Sequence, residues 1–293
     1  MTPPPDPAAL EALRHRIDEI DDQIQDLLIR RAEVVEGVDR VKRAGNLAAL
    51  RPGREAQILR RLVARHRGRF PHRILLRIWR EILSGTIAMQ TDFAAAVLVS
   101  EERPGFWDLA RDHYGSHTPM LTYRASGEVI GAVAEGRAAV GVLPLPQEGD
   151  RDLWWRYLTV SDRMKPRVIA RLPFAGAGNA RGNGGNALVI SLVDPEPSGE
   201  DCGLLALDTN ADLSRGRLVA ALKGAGFAVT PLAMVSGEGW DSHLFEIDNL
   251  LSVEDPRLAT VLKSLGDTPP RVSLLGFYAR PFAPAALDGD AQK

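Results

Sequence analysis

Apolar residues recur three and four positions apart through the first part of the chain. This spacing predicts one amphipathic helix, which we place from Pro7 to Ala44. Asp6 can accept hydrogen bonds from its free amides, Pro7 suits its first turn, and Gly45-Asn46 offers a left-handed stop. The apolar stripe comprises Leu10, Leu13, Ile17, Ile20, Ile24, Leu27, Val34, Val38 and Val41.

A helix of this length exceeds about 50 Å at roughly 1.5 Å per residue. Two shorter helices are predicted after it, over residues 54–67 and from 71 to about 90. They are too short to cover the whole stripe in one compact unit, so we expect a second copy of the chain to cover it. A monomeric bundle or a coiled-coil tail is the alternative.

After residue 92 the pattern changes to short β-branched or Leu-rich runs that alternate with helical segments and are bounded by Gly and Pro. The runs AAAVLV, MLTY and AAVGVLPL predict strands, and PGFWDLARDHY and GEVIGAVAEG predict helices. The glycine-rich stretch 176–185 is expected to be a mobile loop. It lacks the Lys-Ser/Thr of a phosphate loop and does not match GxGxxG.

From Cys202 onward the order of segments is strand, helix, strand, strand, helix, strand, which is a ferredoxin-like βαββαβ unit. The residues after 282 are expected to be a disordered tail. The sequence thus predicts a multidomain fold, with an all-α domain over 8–92, an α/β region over 93–198, a ferredoxin-like α+β unit over 199–283 and a tail over 284–293.

Composition narrows the function classes. The 293 residues carry a formal net charge of -2. Residues 1–90 hold 17 basic and 12 acidic residues, against 19 and 26 in the remainder. Nucleic-acid binding through RRLVARHRGRFPHR is disfavoured, because these arginines accompany a helical core and no aromatic platform for bases is evident.

The same composition bears on disulfide bonding and on the cellular compartment of the protein. The single Cys202 excludes an internal disulfide framework. The opening MTPPPDPAAL lacks the basic and apolar parts of a secretory signal, and no uncharged apolar run approaches the roughly 20 residues of a membrane span. We therefore expect a cytoplasmic protein without a membrane partner.

Three cations of the first helix are candidate ligand-binding residues. Arg31 and Lys42 are eleven residues apart and share a helix face. Arg14 points roughly 100° away from Arg31 and lies about 25 Å along the axis, so it joins Arg31 around one ligand only if a second copy of the helix supplies it. The alternative is that all three are solvated surface groups.

The other two helices add polar residues to this set. Arg54 and Glu55 fall in the first turn of the second helix, and Thr86 and Gln90 are four apart on one face of the third. The set contains no Ser-His pair, metal-spaced His or Cys cluster, or paired carboxylates. It therefore suits a small polyanion and requires neither a cofactor nor a metal.

These residues carry a resemblance. The segments LRHRIDEIDDQIQDLLIRR, RPGREAQIL and WREILSGTIAMQ, with Lys42 between the first two, resemble the all-helical AroQ class of chorismate mutases over residues 8–90. The resemblance implies an intertwined homodimer whose first helices pair. Arg14 would serve the partner's site, and Arg51 stands where some relatives have Asp.

The remaining roles follow from the same resemblance. Arg31 and Arg54 would bind the carboxylates of chorismate, Lys42 and Gln90 would address its ether oxygen, and Glu55 would accept its hydroxyl. Thr86 stands where relatives often have Ser. The rearrangement of chorismate to prephenate is unimolecular, so it needs orientation and charge stabilisation but no nucleophile or base.

The rest of the chain resembles the dehydratase and regulatory parts of bifunctional chorismate mutase/prephenate dehydratases. Pro146-Gln147-Glu148 and Gly185-Asn186-Ala187 replace two dehydratase signatures, the second of which carries the catalytic threonine. We therefore expect a shortened, inactive dehydratase-like region. The βαββαβ unit resembles an ACT domain without its Glu-Ser-Arg-Pro signature, which favours a role in assembly or stability over phenylalanine sensing. Trp240 and Asp241 are candidates for an altered amino-acid effector pocket.

Three other functions remain open at this point. An isochorismate pyruvate lyase would use the same cationic pocket for an isomeric dianion. A bifunctional mutase/dehydratase would require an unaligned residue to replace the missing threonine. A non-catalytic regulator would use the helices to join a partner enzyme and the ACT-like unit to sense a metabolite.

Overall fold

The computed structural model describes residues 6–45, 48–100, 104–160, 165–176, 178, 180–181, 185–266 and 268–287. The chain divides into two compact units. The first comprises Met1–Ala49 with Met89–Thr91, and the second comprises Leu50–Ala88 with Asp92–Lys293. The predicted domain boundaries are not tested by this division and remain predictions.

The first unit is built on helix α1, Pro7–Ala44, whose bounds are those the sequence predicts. Asp6 accepts a hydrogen bond from the Ala8 amide at 3.0 Å through its side chain, as expected for a cap. The apolar stripe is exposed along the helix, with Leu27 at 59% and Val41 at 72% of full exposure. A helix with an uncovered apolar stripe of this length calls for a packing partner.

Helices α2, Pro52–Arg65, and α3, His72–Ala88, belong to the second unit. Both were predicted, with bounds that differ by about two residues. α2 begins earlier than predicted because Pro52, which lacks an amide hydrogen, fits its first turn. Leu59 of α2 and Leu76 of α3 are fully buried in one apolar cluster with Phe174.

The α/β region confirms the predicted alternation of strands and helices. Its elements are β1 Ala95–Leu98, α4 Gly105–Tyr114, β2 Met120–Tyr123, α5 Ser126–Ala134, β3 Val140–Pro144, β4 Arg167–Leu172 and β5 Ala187–Ser191. β1 pairs in parallel with β2 and β3, whereas β5 pairs antiparallel with β3 and β4. Strand β4 and the 3-10 helix Trp154–Thr159 were not predicted.

The C-terminal part of the chain has the predicted βαββαβ order. It comprises β6 Asp201–Asn210, α6 Arg215–Gly224, β7 Val229–Gly237, β8 Trp240–Asp248, α7 Pro256–Ser264 and β9 Arg271–Ala279. The spatial order β9-β6-β8-β7 is antiparallel throughout, as in a ferredoxin-like unit. Across the described residues the strands form one sheet in the order β2-β1-β3-β5-β4-β9-β6-β8-β7.

The C-terminal tail and the glycine-rich stretch were both predicted to be irregular. The tail was expected to be disordered, but Pro284–Leu287 form a short helix, α8, because Leu287 is buried in the cluster that contains Phe174. Residues 288–293 lie outside the described residues, as do 177, 179 and 182–184 of the predicted glycine-rich loop. Within the described ranges, none of the helices combines the length and apolarity needed to cross a membrane.

Candidate functional site

Lys42 and Gln90 are brought together in the first unit although 48 positions separate them. Lys42 lies in the last turn of α1, and Gln90 follows α3. The Lys42 Nζ donates to Gln90 Oε1 at 3.4 Å and to the Ala49 carbonyl at 3.3 Å. Both side chains are half-buried, so the ammonium and the amide form one partly desolvated donor group.

A small cavity of about 220 Å³ adjoins Gln90 in the same unit. Its other described lining residues are Val35, Glu36, Asp39, Arg40 and Met89. Two carboxylates against one guanidinium do not suit a dianion. This cavity therefore does not by itself form the expected cationic site, and neither Arg31 nor Lys42 lines it.

Arg31 and Arg14 occupy the same helix but differ in environment. Arg31 is half-buried, and burial lowers the pKa of its guanidinium. Arg14 is exposed and donates to Glu11 Oε2 at 3.3 Å in an ordinary i,i+3 pair. Their separation of about 25 Å along α1 keeps them from sharing one small ligand within a chain.

Arg54, Glu55 and Thr86 belong to the second unit. Arg54 is exposed and donates to Gln57 Oε1 at 3.4 Å. Thr86 donates its hydroxyl hydrogen to the Leu83 carbonyl at 2.8 Å, one turn earlier in α3. Glu55, in contrast, is buried, with only 8% of its surface exposed.

Arg80 of α3 is the partner that holds Glu55, and sequence reasoning missed it. Its Nη1 donates to Glu55 Oε2 at 2.8 Å, and only 4% of Arg80 is exposed. Burial lowers the pKa of the Arg80 guanidinium, and the Glu55 carboxylate acts in the opposite direction. Arg80 has helical spacing with Leu76, Leu83 and Ile87, which places it on the buried stripe of α3. This spacing was the signal that the sequence offered for its burial.

Arg51, at the expected pocket edge, precedes α2 and pairs with Glu196 Oε1 at 2.8 Å. This pair links α2 to the segment between β5 and β6 in the second unit. The sequence offered no signal for it, because 145 positions separate the two residues. Arg51 thus acts here as part of a structural contact.

The positions of the two altered dehydratase signatures have structural partners. Gly185 and Asn186 precede β5, and the Asn186 carbonyl accepts a hydrogen bond from the Leu145 amide at 2.9 Å. Glu148 Oε2 accepts from Arg215 Nη1 at 2.6 Å. Ala187 is fully buried in β5. These residues place no hydroxyl at the start of β5.

Trp240 and Asp241 begin β8, and only Trp240 is substantially exposed. The Arg156 guanidinium lies 4.9 Å from the centre of the Trp240 ring. Arg156 also pairs with Asp208 Oδ1 at 2.5 Å and contacts the Ser242 hydroxyl. The expected effector-pocket residues therefore border a polar cluster that the sequence did not reveal.

Two absences hold for the described part of the chain. It contains no group of three or more His, Cys, Asp or Glu side chains arranged to hold a metal ion. Cys202 is buried and unpaired with another cysteine, and burial raises the pKa of its thiol to about 12.

Solved prephenate dehydratases are weakly similar to the chain. The protein from Staphylococcus aureus is 12% identical with a TM-score of 0.48, covering 64% of this chain and 100% of that one. The protein from Arthrobacter aurescens, in complex with L-Phe, is 14% identical with a TM-score of 0.47, covering 67% and 95%. Scores this low carry no conclusion about this chain.

Sequence comparisons identify the helical part. A bifunctional chorismate mutase/prephenate dehydratase of Stutzerimonas stutzeri is 32% identical over 141 residues, covering 46% of this chain and 38% of that protein. Its counterpart from Pseudomonas aeruginosa is 31% identical with the same coverage. The chain thus spans about two fifths of the length of these curated relatives. The chorismate mutase type II family model matches residues 13–91 of this chain.

Proposed function

We propose that this protein is a chorismate mutase that converts chorismate to prephenate in a homodimer. The observation that carries the proposal is the contact of Lys42 Nζ with Gln90 Oε1 at 3.4 Å. These are the two residues expected to address the breaking ether oxygen, and they come from distant parts of the segment that matches the family.

The proposed mechanism needs only positioning and charge. Arg31 and Arg54 bind the two carboxylates, because a guanidinium fork matches a carboxylate in two hydrogen bonds. Lys42 and the Gln90 amide donate to the ether oxygen as negative charge develops there. Glu55 accepts the substrate hydroxyl, and Thr86 borders the site.

The homodimer is proposed on two features of α1. Its apolar stripe is exposed from Leu10 to Val41, and a second α1 supplies a matching apolar surface. Arg14 lies too far from Arg31 to serve the same site within one chain. Pairing of the two first helices brings Arg14 of one chain to the site of the other.

For the remainder of the chain we propose no dehydratase activity. The segment Gly185-Asn186-Ala187 offers no hydroxyl where related dehydratases carry their catalytic threonine. The ferredoxin-like unit is proposed to be ACT-like, retained for assembly or stability rather than for phenylalanine sensing. An amino-acid effector bound near Trp240 and Asp241 is the alternative for this unit.

Product identification tests the function. Purified protein is incubated separately with chorismate, isochorismate and prephenate at near-neutral pH, and the products are resolved by chromatography against no-enzyme controls. Prephenate formed from chorismate alone is the expected result. Salicylate and pyruvate from isochorismate would indicate a lyase, and no turnover would favour a non-catalytic regulator. Enzyme-dependent phenylpyruvate from prephenate would contradict the loss of dehydratase activity.

A further inference from the structure

Three of the residues proposed for mutase chemistry lie in the second unit, and they differ in burial. Arg54 is exposed and Thr86 is half-buried, whereas only 10% of the Glu55 side chain is exposed. Taking a carboxylate out of water costs free energy unless a cation or hydrogen bonds compensate for it. A buried Glu55 that accepts the substrate hydroxyl therefore needs support from the surrounding protein.

The Arg80 guanidinium provides a cation at this depth. Its Nη1 donates to Glu55 Oε2 at 2.8 Å, and 5% of the Arg80 side chain is exposed. A charge-assisted hydrogen bond away from water is strong and directional, so it orients the carboxylate as well as compensating its charge. An ionised carboxylate has about four acceptor sites, and this bond alone does not fill the acceptor capacity of Glu55.

Arg80 is itself held by residues that lie beyond the family-matched residues 13–91. Its guanidinium carbon lies 5.3 Å from the centre of the Phe174 ring, within the range of a cation–π contact. Phe174 is buried after β4, and its ring packs edge-on against Phe282 at 5.3 Å. Tyr114 of α4 is also close to the ion pair, because burial and Glu55 raise the pKa of its phenol while Arg80 lowers it.

The two helices that carry the ion pair are anchored to the part of the chain after residue 92. Arg60 of α2 donates to Ser198 Oγ at 3.0 Å and to the Arg280 carbonyl at 3.1 Å. Glu81 of α3 accepts a hydrogen bond from the Ser116 amide at 3.0 Å. Packing outside α2 and α3 therefore helps to set the distance between them.

We propose that Arg80 is a positioning residue of the mutase, which holds the Glu55 carboxylate in the orientation that receives the substrate hydroxyl, and that Phe174 keeps Arg80 in place. The inference rests on the proposed mutase function. Arg80 is assigned no contact with the substrate and acts through Glu55. Such support is effective only when the supporting side chain is itself locked by packing, which Phe174 provides for Arg80.

Steady-state kinetics of the full chain with chorismate tests the role of Arg80. Arg80→Gln removes the charge and should lower kcat/KM by about 10- to 100-fold in a folded protein, because small displacements of a site residue are costly. Arg80→Lys keeps a cation and should be more active than Arg80→Gln. Wild-type kcat/KM in folded Arg80→Gln, or an Arg80→Lys variant slower than Arg80→Gln, would overturn the proposal.

A double-mutant cycle shows whether Arg80 acts through Glu55. Arg80→Gln should divide its loss between kcat and KM as Glu55→Gln does. The double variant Glu55→Gln/Arg80→Gln should match Glu55→Gln within about twofold in kcat/KM, because the residue that Arg80 positions is already lost. A further loss as large as that of Arg80→Gln alone would show that Arg80 acts independently of Glu55, contrary to the proposal.

Phe174→Leu provides a second variant that leaves both charges of the ion pair in place, which is useful if Arg80→Gln does not fold. It removes the ring over Arg80 and should lower kcat/KM by about fivefold. The loss should disappear when Glu55 is already Gln. An unchanged kcat/KM in folded Phe174→Leu would contradict the role assigned to Phe174, and a loss that persists beside Glu55→Gln would overturn the coupling.

Arg60→Gln is the matched control, because Arg60 anchors α2 in the same unit through contacts that do not include Glu55. It should lower the free energy of unfolding but leave kcat/KM of the folded protein unchanged. A loss of kcat/KM equal to that of Arg80→Gln would indicate general loosening and would overturn the proposal. Absence of chorismate turnover in the wild type would overturn the mutase function and this inference together, whereas an active wild type and an equally active Arg80→Gln would overturn the inference alone.

Discussion

Replacement of Arg80 by Met should strongly destabilise the second unit. The Glu55–Arg80 pair has an N···O distance of 2.8 Å, with 10% of the Glu55 side chain and 5% of the Arg80 side chain exposed. Met roughly preserves the apolar volume of the arginine stem but leaves the Glu55 carboxylate buried without this cation. Removing one partner of a buried pair costs about 3–5 kcal/mol.

An exposed pair of equal length provides the matched control. Arg137 Nε lies 2.8 Å from Glu135 Oε2, but their side chains are 47% and 63% exposed. Arg137→Met should therefore cost at most about 1 kcal/mol, because solvent screens such a pair. The two pairs share the N···O distance and the substitution, and they differ strongly in burial, so their comparison shows the effect of burial together with that of the ring each arginine contacts.

The assay is urea unfolding followed by far-UV circular dichroism and by tryptophan fluorescence, with global fits that allow the two units to unfold separately. The double variant Glu55→Leu/Arg80→Met removes both charges and should recover most of the loss, because an apolar pair of similar volume often matches a buried ion pair. A double variant as unstable as Arg80→Met would refute the reasoning. The loss would then come from packing, including the contact of Arg80 with the Phe174 ring at 5.3 Å.

Three further predictions concern activity and pH. Arg31→Ala or Lys42→Ala should lower kcat for chorismate by about 100- to 1000-fold in a folded protein, because each removes one electrostatic donor. Wild-type turnover of either variant in a steady-state assay would exclude that residue from the mutase site. Mixing inactive Arg14→Ala with inactive Arg31→Ala chains under exchange conditions should restore activity, and inactivity despite verified heterodimers would rule out a shared site. Burial lowers the pKa of His113, so its contribution to stability is present above the unfolded pKa of 6.5 and is lost as pH falls below that value. His113→Gln should therefore flatten the acid side of a curve of unfolding free energy against pH. An unchanged slope would contradict this prediction.

The sequence was sufficient where the determinants of structure are local. α1 has its predicted bounds, because the apolar stripe, the Asp6 cap and the Gly45 stop all lie within the segment or beside it. The βαββαβ unit was predicted for the same reason, since each of its elements has its own periodicity. The contact between Lys42 and Gln90 was predictable only through the family resemblance, because a separation of 48 positions gives no local signal of a contact.

Sequence reasoning failed where a charge is compensated from a distance. β4 was missed because Arg167 and Arg171 interrupt its apolar run, and nothing local indicates that Arg171 pairs with Glu246 at 2.5 Å. That partner lies 75 positions away. α8 was missed because Leu287 gains its burial from Phe174, on a different part of the chain.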